Sequence, residues 1–586
     1  MSSSVAYHLC PRHPEAHLFD VCCEVRQPHP EGQVFTLPAW IPGSYMIREF
    51  ARHIVSIRAE ANGRPVTLEK LDKASWRAAP CQGPLTVSYQ VYAWDLSVRA
   101  AHLDRSHAFC NGTSLFLRPR GLEQLPCQVH IEPPPGEDYQ DWQLATSLPR
   151  DGAAPWGFGR YRADSYEDLV DHPMEMGRFE RVDFSVCGVP HHLVLTGQSR
   201  FHRERLARDL ETLCCWQMEL YGPPRLEEPY LFLVMAVGSG YGGLEHRSST
   251  ALICDRSDLP PPGLADGDYP EGYVRFLGLC SHEYFHRWNV KRIRPAAFLD
   301  QDLGSEAYTR LLWLFEGFTS YYDDLCLVRS GVISETAYLG LLGKTLTQVQ
   351  KGPGRRVQSL ADSSFDAWIK YYRQDENTPN AVVSYYTKGA LVALCLDLAL
   401  RHGSGGTCSL DTLMQELWRD CGAGRGLEEE EIFARVAALG GPALGRWLRA
   451  AVSGTEELPL ARHLGRFGVR LDWEAETRLP WLGLRLGSET GEARVSHVLS
   501  GSPAEQAGLA AGDILVALGG GRVTRQNLDT LLAGLTPGEP VSCHYFRHDL
   551  LAVTPLVPQA PPAEKAVLTP LRGGAARRRA WLGSPA

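Results

Sequence analysis

Two histidines and a glutamate form the pattern in this chain of 586 residues that points most directly to chemistry. The segment "LCSHEYFHRWN" places His282 and His286 four residues apart, with Glu283 directly after the first histidine. On a helix, positions i and i+4 lie on one face, so both imidazoles can direct a ring nitrogen toward one point. Such an arrangement suits a zinc ion, and the neighbouring carboxylate suits a general base. The alternative is a pair of surface histidines that bind nothing.

A third ligand would strengthen the metal interpretation, because a catalytic zinc ion commonly has three protein ligands and one open coordination position. Glu316 is the candidate, since it lies in the apolar and aromatic segment "WLFEGFTSYYDDL". A buried carboxylate is costly to folding unless it is paired or bound to a metal. A partly exposed glutamate at a helix kink beside Gly317 would explain the same residue without a metal.

Hydrophobic periodicity indicates the elements that must hold these residues. Short alternating stretches such as "PLTVSYQVYAW", separated by Pro and Gly, dominate the start of the chain and predict strands. Strand, helix and strand patterns then follow from Phe179, and longer helical patterns run through both candidate ligand segments. We therefore expect a multidomain α+β protein with an N-terminal β-sandwich-like domain (1–170), a mixed α/β and then helical domain (171–455), a β domain (460–560) and a Pro-rich, basic, disordered tail (561–586).

Composition and charge exclude several classes of function. The net charge is −9, from 59 basic and 68 acidic residues, so the chain carries no overall electrostatic footprint for nucleic acid. The start "MSSSVAYHLCPRH" lacks the features of a secretory signal, and no apolar run reaches the ~20 residues of a membrane-spanning helix. Sixteen scattered cysteines without C-x-x-C spacing are typical of reduced thiols. These observations predict a cytoplasmic protein that binds neither nucleic acid nor membrane and has no structural metal.

The order "HEYFH" and then "EGFTSYY" resembles the gluzincin clan of zinc aminopeptidases. Within the clan, the chain is similar to the glycyl aminopeptidase family, which carries a C-terminal PDZ domain. Twenty-nine residues separate His286 from Glu316, more than in relatives of aminopeptidase N, and the longer insert resembles the glycyl branch. The resemblance covers nearly the whole chain and includes "LPAWIPGSYMIREFARH" at 37–53.

This resemblance implies a thermolysin-like catalytic domain with one zinc ion on His282, His286 and Glu316. Glu283 would then be the general base. Tyr386, in "VVSYYTKGALVAL", occupies the position of the clan tyrosine whose hydroxyl supports the oxyanion. A tyrosine at the start of a helix can equally be a packing residue.

The Gly-rich segment "GSGYGGLEHRSS" follows a predicted strand and contains Gly242, Gly243 and Glu245. The resemblance assigns this segment to substrate binding. Glu245 stands where the clan has a glutamate that pairs with the free α-ammonium of a peptide, a contact that selects aminopeptidase over endopeptidase activity. The alternative is a Gly-rich hairpin with a solvated glutamate.

The C-terminal segments "PWLGLRLG" and "SPAEQAGLAAGDILVALGGG" resemble a PDZ domain. Leu482, Gly483 and Leu484 would form its carboxylate loop, whose backbone N–H groups can bind the C-terminus of a peptide. A packing or regulatory module that binds nothing is the alternative.

The expected function is that of a zinc aminopeptidase acting on peptides with a free N-terminus, with a preference for small first residues such as Gly or Ala implied by the resemblance. A zinc endopeptidase that does not anchor the amine is the first alternative. A catalytically silent PDZ scaffold is the second.

Overall fold

A computed structural model describes residues 4–487 and 491–583. These residues form two compact units. The first contains the described residues up to Tyr308, together with Arg329–Ile333 and Met414–Leu427. The second contains Thr309–Val328, Ser334–Leu413 and the described residues from Glu428 onward. The domain boundaries expected from the sequence stay a prediction.

A seven-stranded sheet opens the first unit, as the alternating pattern predicts. In Leu18–Val25 every second residue is buried, and the neighbouring antiparallel strand Leu85–Tyr92 follows the same alternation. Successive side chains of a strand point to opposite faces, so this alternation places one apolar face on the core. The spatial order of the strands is Gly159–Ala163, Cys127–Ile131, Val5–His13, Leu18–Val25, Leu85–Tyr92, Ile54–Ala61 and Arg64–Val66.

Two four-stranded sheets complete the β-rich part of the first unit. One has the order Gln143–Thr146, Met174–Gly177, His107–Cys110 and Ala101–Leu103. The other has the order Arg118–Pro119, Val34–Thr36, Ser75–Ala78 and Leu68–Lys70. The short helix Tyr166–Val170 is capped at its N-terminus by Ser165, whose side chain accepts a hydrogen bond from the Asp168 N–H.

A five-stranded sheet and two helices follow the β-rich part of the first unit. The strand order is Glu180–Val186, Val189–Thr196, Tyr230–Val237, Ser249–Asp255 and Tyr241–Glu245, which makes Tyr241–Glu245 an edge strand. The three inner strands run parallel to one another and are largely buried, which explains the nearly continuous apolar run "YLFLVMAV". Helix Arg203–Tyr221 contacts helix Glu271–Phe285 through Gln217, whose side-chain N–H donates to the Ser281 carbonyl at 2.9 Å.

The second unit begins with helices. Their bounds are Leu312–Phe315, Gly317–Arg329, Glu335–Lys351, Leu360–Phe365, Thr378–Ala381, Thr387–Gly403, Glu431–Gly440, Pro442–Ser453 and Leu460–Arg466, and the helix Leu410–Cys421 is divided between the two units after Leu413. Gly317 and Gly389 allow two of these helices to approach closely, because a Cβ added to Gly317 would lie 2.6 Å from the Gly389 Cα. Among the described residues, none of the helices combines the length and apolarity needed to cross a bilayer.

A β domain with its own core follows the helices. Its main sheet has the order Leu484–Leu486, Ala493–Val498, Ile514–Leu518, Val541–Arg547 and Leu550–Leu556, with Gly521–Arg522 paired to the third strand. Helices Pro503–Gln506 and Leu528–Ala533 accompany the sheet. The domain is tied to the helical part of the same unit by Asn380, whose amide donates to the Val498 carbonyl at 2.8 Å and accepts from the Ser500 N–H at 2.8 Å.

The expectation of a disordered tail at 561–586 is wrong for the residues that the structure describes. Strand Ala563–Pro570 pairs antiparallel with Val469–Ala475, and helix Ala575–Leu582 follows. The Trp581 side chain is fully buried, and its indole N–H donates to the Tyr321 hydroxyl at 2.9 Å. Composition indicated disorder because it does not report strand pairing between distant segments. Residues 584–586 of the predicted tail lie outside the described residues.

Candidate active site

The helix Glu271–Phe285 carries His282, and His286 follows directly at its C-terminal cap with helical backbone angles. The Nε2 atoms of the two rings lie 3.1 Å apart. Two nitrogens bound to one tetrahedral zinc ion, at about 2.0–2.1 Å each, are roughly 3.3 Å apart. The Nδ1 atom of His286 lies 2.8 Å from the Asn289 carbonyl, which orients this ring with Nδ1–H as the donor and leaves Nε2 as the metal-binding atom. The imidazole pair therefore fits a shared metal ion.

Two buried carboxylates accompany the histidines in the first unit. Glu283 is 5% exposed and Glu245 is 4% exposed. One ligand atom of each lies within 4.8 Å of the other and of a His286 ring nitrogen. Two ionised carboxylates this close together and away from water repel each other, whereas a nearby cation stabilises both. The arrangement is thus suited to hold a metal ion, an ammonium group or both.

Two glycine residues lie against the two carboxylates. A Cβ on Gly243 would meet the Glu283 carboxylate at 2.1 Å, and one on Gly43 would meet the Glu245 carboxylate at 2.5 Å. Gly43 also has a φ of +93°, a left-handed conformation that favours glycine. Gly242, next to Gly243 in the edge strand, has only ordinary van der Waals neighbours at its Cβ position. Only glycine fits at positions 43 and 243 without displacing a carboxylate.

A cavity of about 310 Å³ lies beside Glu245 and Gly43. A buried ion pair forms part of its wall, with the Lys291 Nζ 2.6 Å from an Asp171 carboxylate oxygen and the His246 Nδ1 3.4 Å from the same oxygen. Burial acts to raise the pKa of Asp171, but the Lys291 ammonium and His246 hold this pKa well below its usual value. Sequence reasoning missed Asp171, Lys291 and Gly43, although the quoted segment "LPAWIPGSYMIREFARH" contains Gly43.

In the second unit, Glu316 occupies the junction between helices Leu312–Phe315 and Gly317–Arg329 and is 2% exposed. Burial and the negative charge of Glu316 hold the pKa of Tyr386 well above its usual value. The hydroxyl oxygens of Tyr386 and Tyr372 lie 3.3 Å apart. The phenol of Tyr386 therefore keeps its proton near neutral pH and is available as a hydrogen-bond donor.

Of the predicted carboxylate loop of the β domain, Leu482 and Gly483 lie between Trp481 and the strand Leu484–Leu486, and Leu484 is the first residue of that strand. Leu482 is buried in the core of that domain, and Gly483 has a φ of +72°. A Cβ on Gly483 would meet the Ser502 side chain at 2.1 Å. The carbonyl of Gly483 accepts the Leu499 N–H at 2.8 Å, and that of Leu482 accepts the Ala504 N–H at 2.9 Å. These contacts fix the shape of the loop.

Comparison with known proteins assigns the chain to a family. Models for the Peptidase M61 N-terminal domain, the M61 glycyl aminopeptidase and the PDZ domain match residues 6–178, 275–392 and 480–552, respectively. The crystal structure of an aminopeptidase N family protein from Idiomarina loihiensis is 38% identical, with 99% of this chain and 100% of that chain covered and a TM-score of 0.95. The chain belongs to the M61 glycyl aminopeptidase family. The predictions of family, α+β fold class and zinc metallopeptidase activity are thereby confirmed, and this M61 peptidase carries a C-terminal PDZ domain.

More distant likenesses add nothing to this assignment. An M1 zinc metallopeptidase from Deinococcus radiodurans is 16% identical to the M61 peptidase, with a TM-score of 0.48 and coverage of 78% of this chain and 95% of that chain. Yeast LTA4 hydrolase is 13% identical, with a TM-score of 0.47 and coverage of 80% and 70%. A search of the curated proteins found no match.

The structure of the M61 peptidase brings five of the predicted site residues together in its first unit, namely His282, His286, Glu283, Glu245 and Gly243. It brings Glu316 and Tyr386 together in the second unit. Their catalytic roles, the PDZ ligand and the cytoplasmic location stay predictions.

Proposed function

We propose that the protein removes the first residue from peptides with a free N-terminus, using one zinc ion held by His282, His286 and Glu316. The observation that carries this proposal is the pair of Nε2 atoms 3.1 Å apart beside the buried carboxylates of Glu283 and Glu245. The family match over 275–392 supports Glu316 as the third ligand, because this one match includes the histidine pair and Glu316.

A zinc ion held by His282, His286 and Glu316 would supply Lewis acidity, which would polarise the scissile carbonyl group and lower the pKa of water. Glu283 accepts a proton from the attacking water and then donates it to the nitrogen of the leaving peptide. Tyr386, which keeps its proton because burial and Glu316 raise its pKa, donates a hydrogen bond to the oxyanion that develops on the carbonyl oxygen.

Glu245 and the edge strand Tyr241–Glu245 set the position of the peptide in this proposal. The Glu245 carboxylate pairs with the α-ammonium group, so the first peptide bond is held for attack. An extended peptide can add to an exposed sheet edge through backbone hydrogen bonds, and the strand that contains Gly242 and Gly243 is at the edge of its sheet. On the basis of the family resemblance, we also propose that the protein prefers glycine or alanine as the first residue of the peptide.

A comparison of free and N-acetylated peptides tests the role of the amine. We expect cleavage of the free peptide only, because acetylation removes the positive charge that Glu245 binds. Equal cleavage of both peptides would instead establish the endopeptidase alternative. Metal analysis of the purified protein should give one zinc ion per chain, and aminoacyl-amides of Gly, Ala, Leu and Phe would define the preferred first residue.

We also propose that the PDZ domain binds the C-terminal carboxylate of a peptide at Leu482, Gly483 and Leu484. The fixed loop and the edge strand Leu484–Leu486 support this role. Titration with peptides that differ only in a free or amidated C-terminus tests it, and equal affinity for the two forms would contradict the carboxylate contact.

A further inference from the structure

Two cysteines that are distant in sequence meet in the first unit. The Sγ atoms of Cys187 and Cys215 lie 2.8 Å apart. This separation is less than 1 Å longer than a covalent S–S bond of about 2.05 Å. We propose that Cys187 and Cys215 form a reversible disulfide when the protein meets a small disulfide oxidant such as oxidised glutathione.

The position of Cys187 in its turn supports a chemical role. Val186 pairs with Val189, so Cys187 and Gly188 form a two-residue hairpin turn, with φ angles of +49° and +85°. A type I′ turn of this kind requires positive φ at both residues and favours Asn-Gly or Asp-Gly. Cysteine is a poor choice for the first position on conformational grounds. A residue held in an unfavourable conformation, with its reactive atom directed at a matching partner, points to function rather than packing.

Cys187 and Cys215 differ in a way that assigns the order of reaction. The side chain of Cys187 is exposed at the tip of the turn, whereas Cys215 is half-buried on helix Arg203–Tyr221. Burial, the adjacent Cys187 thiol and the Glu219 carboxylate raise the pKa of Cys215 to about 12. A thiolate is the attacking species, so the exposed thiol of Cys187 reacts first with the oxidant.

The reaction balances as an exchange of two electrons. The Cys187 thiolate attacks one sulfur of oxidised glutathione, which forms a mixed disulfide and releases one glutathione thiolate. The Cys215 sulfur then loses its proton and attacks the Cys187 sulfur, which breaks the mixed disulfide and releases the second glutathione. Both protein thiols are oxidised, one glutathione disulfide is reduced to two thiols, and the two protons pass to the released glutathione molecules. The sulfurs need to approach by less than 1 Å, so no rearrangement of the fold is required.

The test incubates the full-length protein with defined ratios of reduced and oxidised glutathione, followed by alkylation and peptide mass mapping. We expect a cross-link between the peptides that contain Cys187 and Cys215. Cys215→Ser should stop at a glutathione adduct on Cys187, and Cys187→Ser should form no link to Cys215. Cys81→Ser, which changes another half-buried cysteine, should leave the cross-link intact.

Thermal unfolding gives an independent measurement. Closing the loop between the two cysteines should raise the Tm of oxidised wild-type protein by roughly 2–5 °C, and the same treatment should not raise the Tm of Cys215→Ser. Mixed disulfides alone in the wild-type protein, at every glutathione ratio, would overturn the proposal. A second result would also overturn the proposal: both thiols resist alkylation, a chelator restores their reactivity, and mass mapping finds no cross-link. This result would identify a bound soft metal at Cys187, Cys215 and Glu219 instead.

Discussion

The contact between Gly243 and Glu283 gives the sharpest test of the proposed base. A methyl group at position 243 would lie 2.1 Å from one carboxylate oxygen of Glu283, 2.4 Å from its carboxyl carbon and 2.6 Å from its Cγ. Real Cβ atoms essentially never approach other heavy atoms within 3.0 Å. Since three atoms of the same side chain are too close, Gly243→Ala must displace the carboxylate group by about 1 Å, a shift that can cost about 100-fold in rate when it moves a catalytic group.

We therefore expect kcat of Gly243→Ala to fall by about 100-fold, which corresponds to about 2.7 kcal/mol of transition-state stabilisation. The backbone of Gly243 is not left-handed, so alanine brings steric overlap without a conformational penalty. Steady-state hydrolysis of an aminoacyl-amide measures kcat, while zinc content and Tm verify that the metal and the fold are retained.

Gly242→Ala is the matched control for this experiment. A methyl group at position 242 would lie 3.8 Å from an Ile253 side-chain carbon and 3.9 Å from an Arg99 side-chain nitrogen, which are ordinary contacts. Its kcat should stay within about 3-fold of wild type, because the Glu283 carboxylate does not move, and any effect on the peptide that this strand is proposed to bind should appear in KM. A Gly243→Ala enzyme with wild-type kcat would refute either the role of Glu283 as the base or the contact itself, and an equal loss in Gly242→Ala would show that the strand, not Glu283, is responsible.

Four further substitutions test other parts of the site and fold. Glu283→Gln should abolish turnover while zinc remains bound, as measured by activity and metal analysis. Activity at the wild-type level would rule out Glu283 as the general base. Glu245→Ala should raise KM for substrates with a free amine, because the ammonium loses its partner, and unchanged kinetics would remove the anchor. Tyr386→Phe should lower kcat by about 10²–10³-fold with little change in KM, and a wild-type kcat would exclude oxyanion support. Trp581→Ala should lower the free energy of unfolding by about 3–5 kcal/mol in a denaturant titration, because it removes a fully buried side chain that is hydrogen-bonded to Tyr321. An unchanged midpoint of the titration would mean that the C-terminal helix is not part of the core.

Local sequence predicted the helices well where apolar periodicity is strong. The helical pattern expected after Phe179 corresponds to helix Arg203–Tyr221, and the helix expected to start near Tyr386 corresponds to Thr387–Gly403. The helical pattern ran through Glu316, with a kink beside Gly317 as the alternative, and the structure has two helices that meet at Glu316. Periodicity cannot report this break, because the close packing of Gly317 on Gly389 depends on a segment about 70 residues away.

The sequence alone determined the family, the class of chemistry and the spacing of the imidazole pair. That spacing is local: a helical turn brings positions 282 and 286 together wherever the helix lies in the fold. Only the tertiary structure decided which backbone touches the two carboxylates, that Cys187 meets Cys215, and that Ala563–Pro570 pairs with Val469–Ala475. These contacts join residues from 28 to about 200 positions apart, and they arise from the packing of whole elements, which the order of residues within a short segment does not encode.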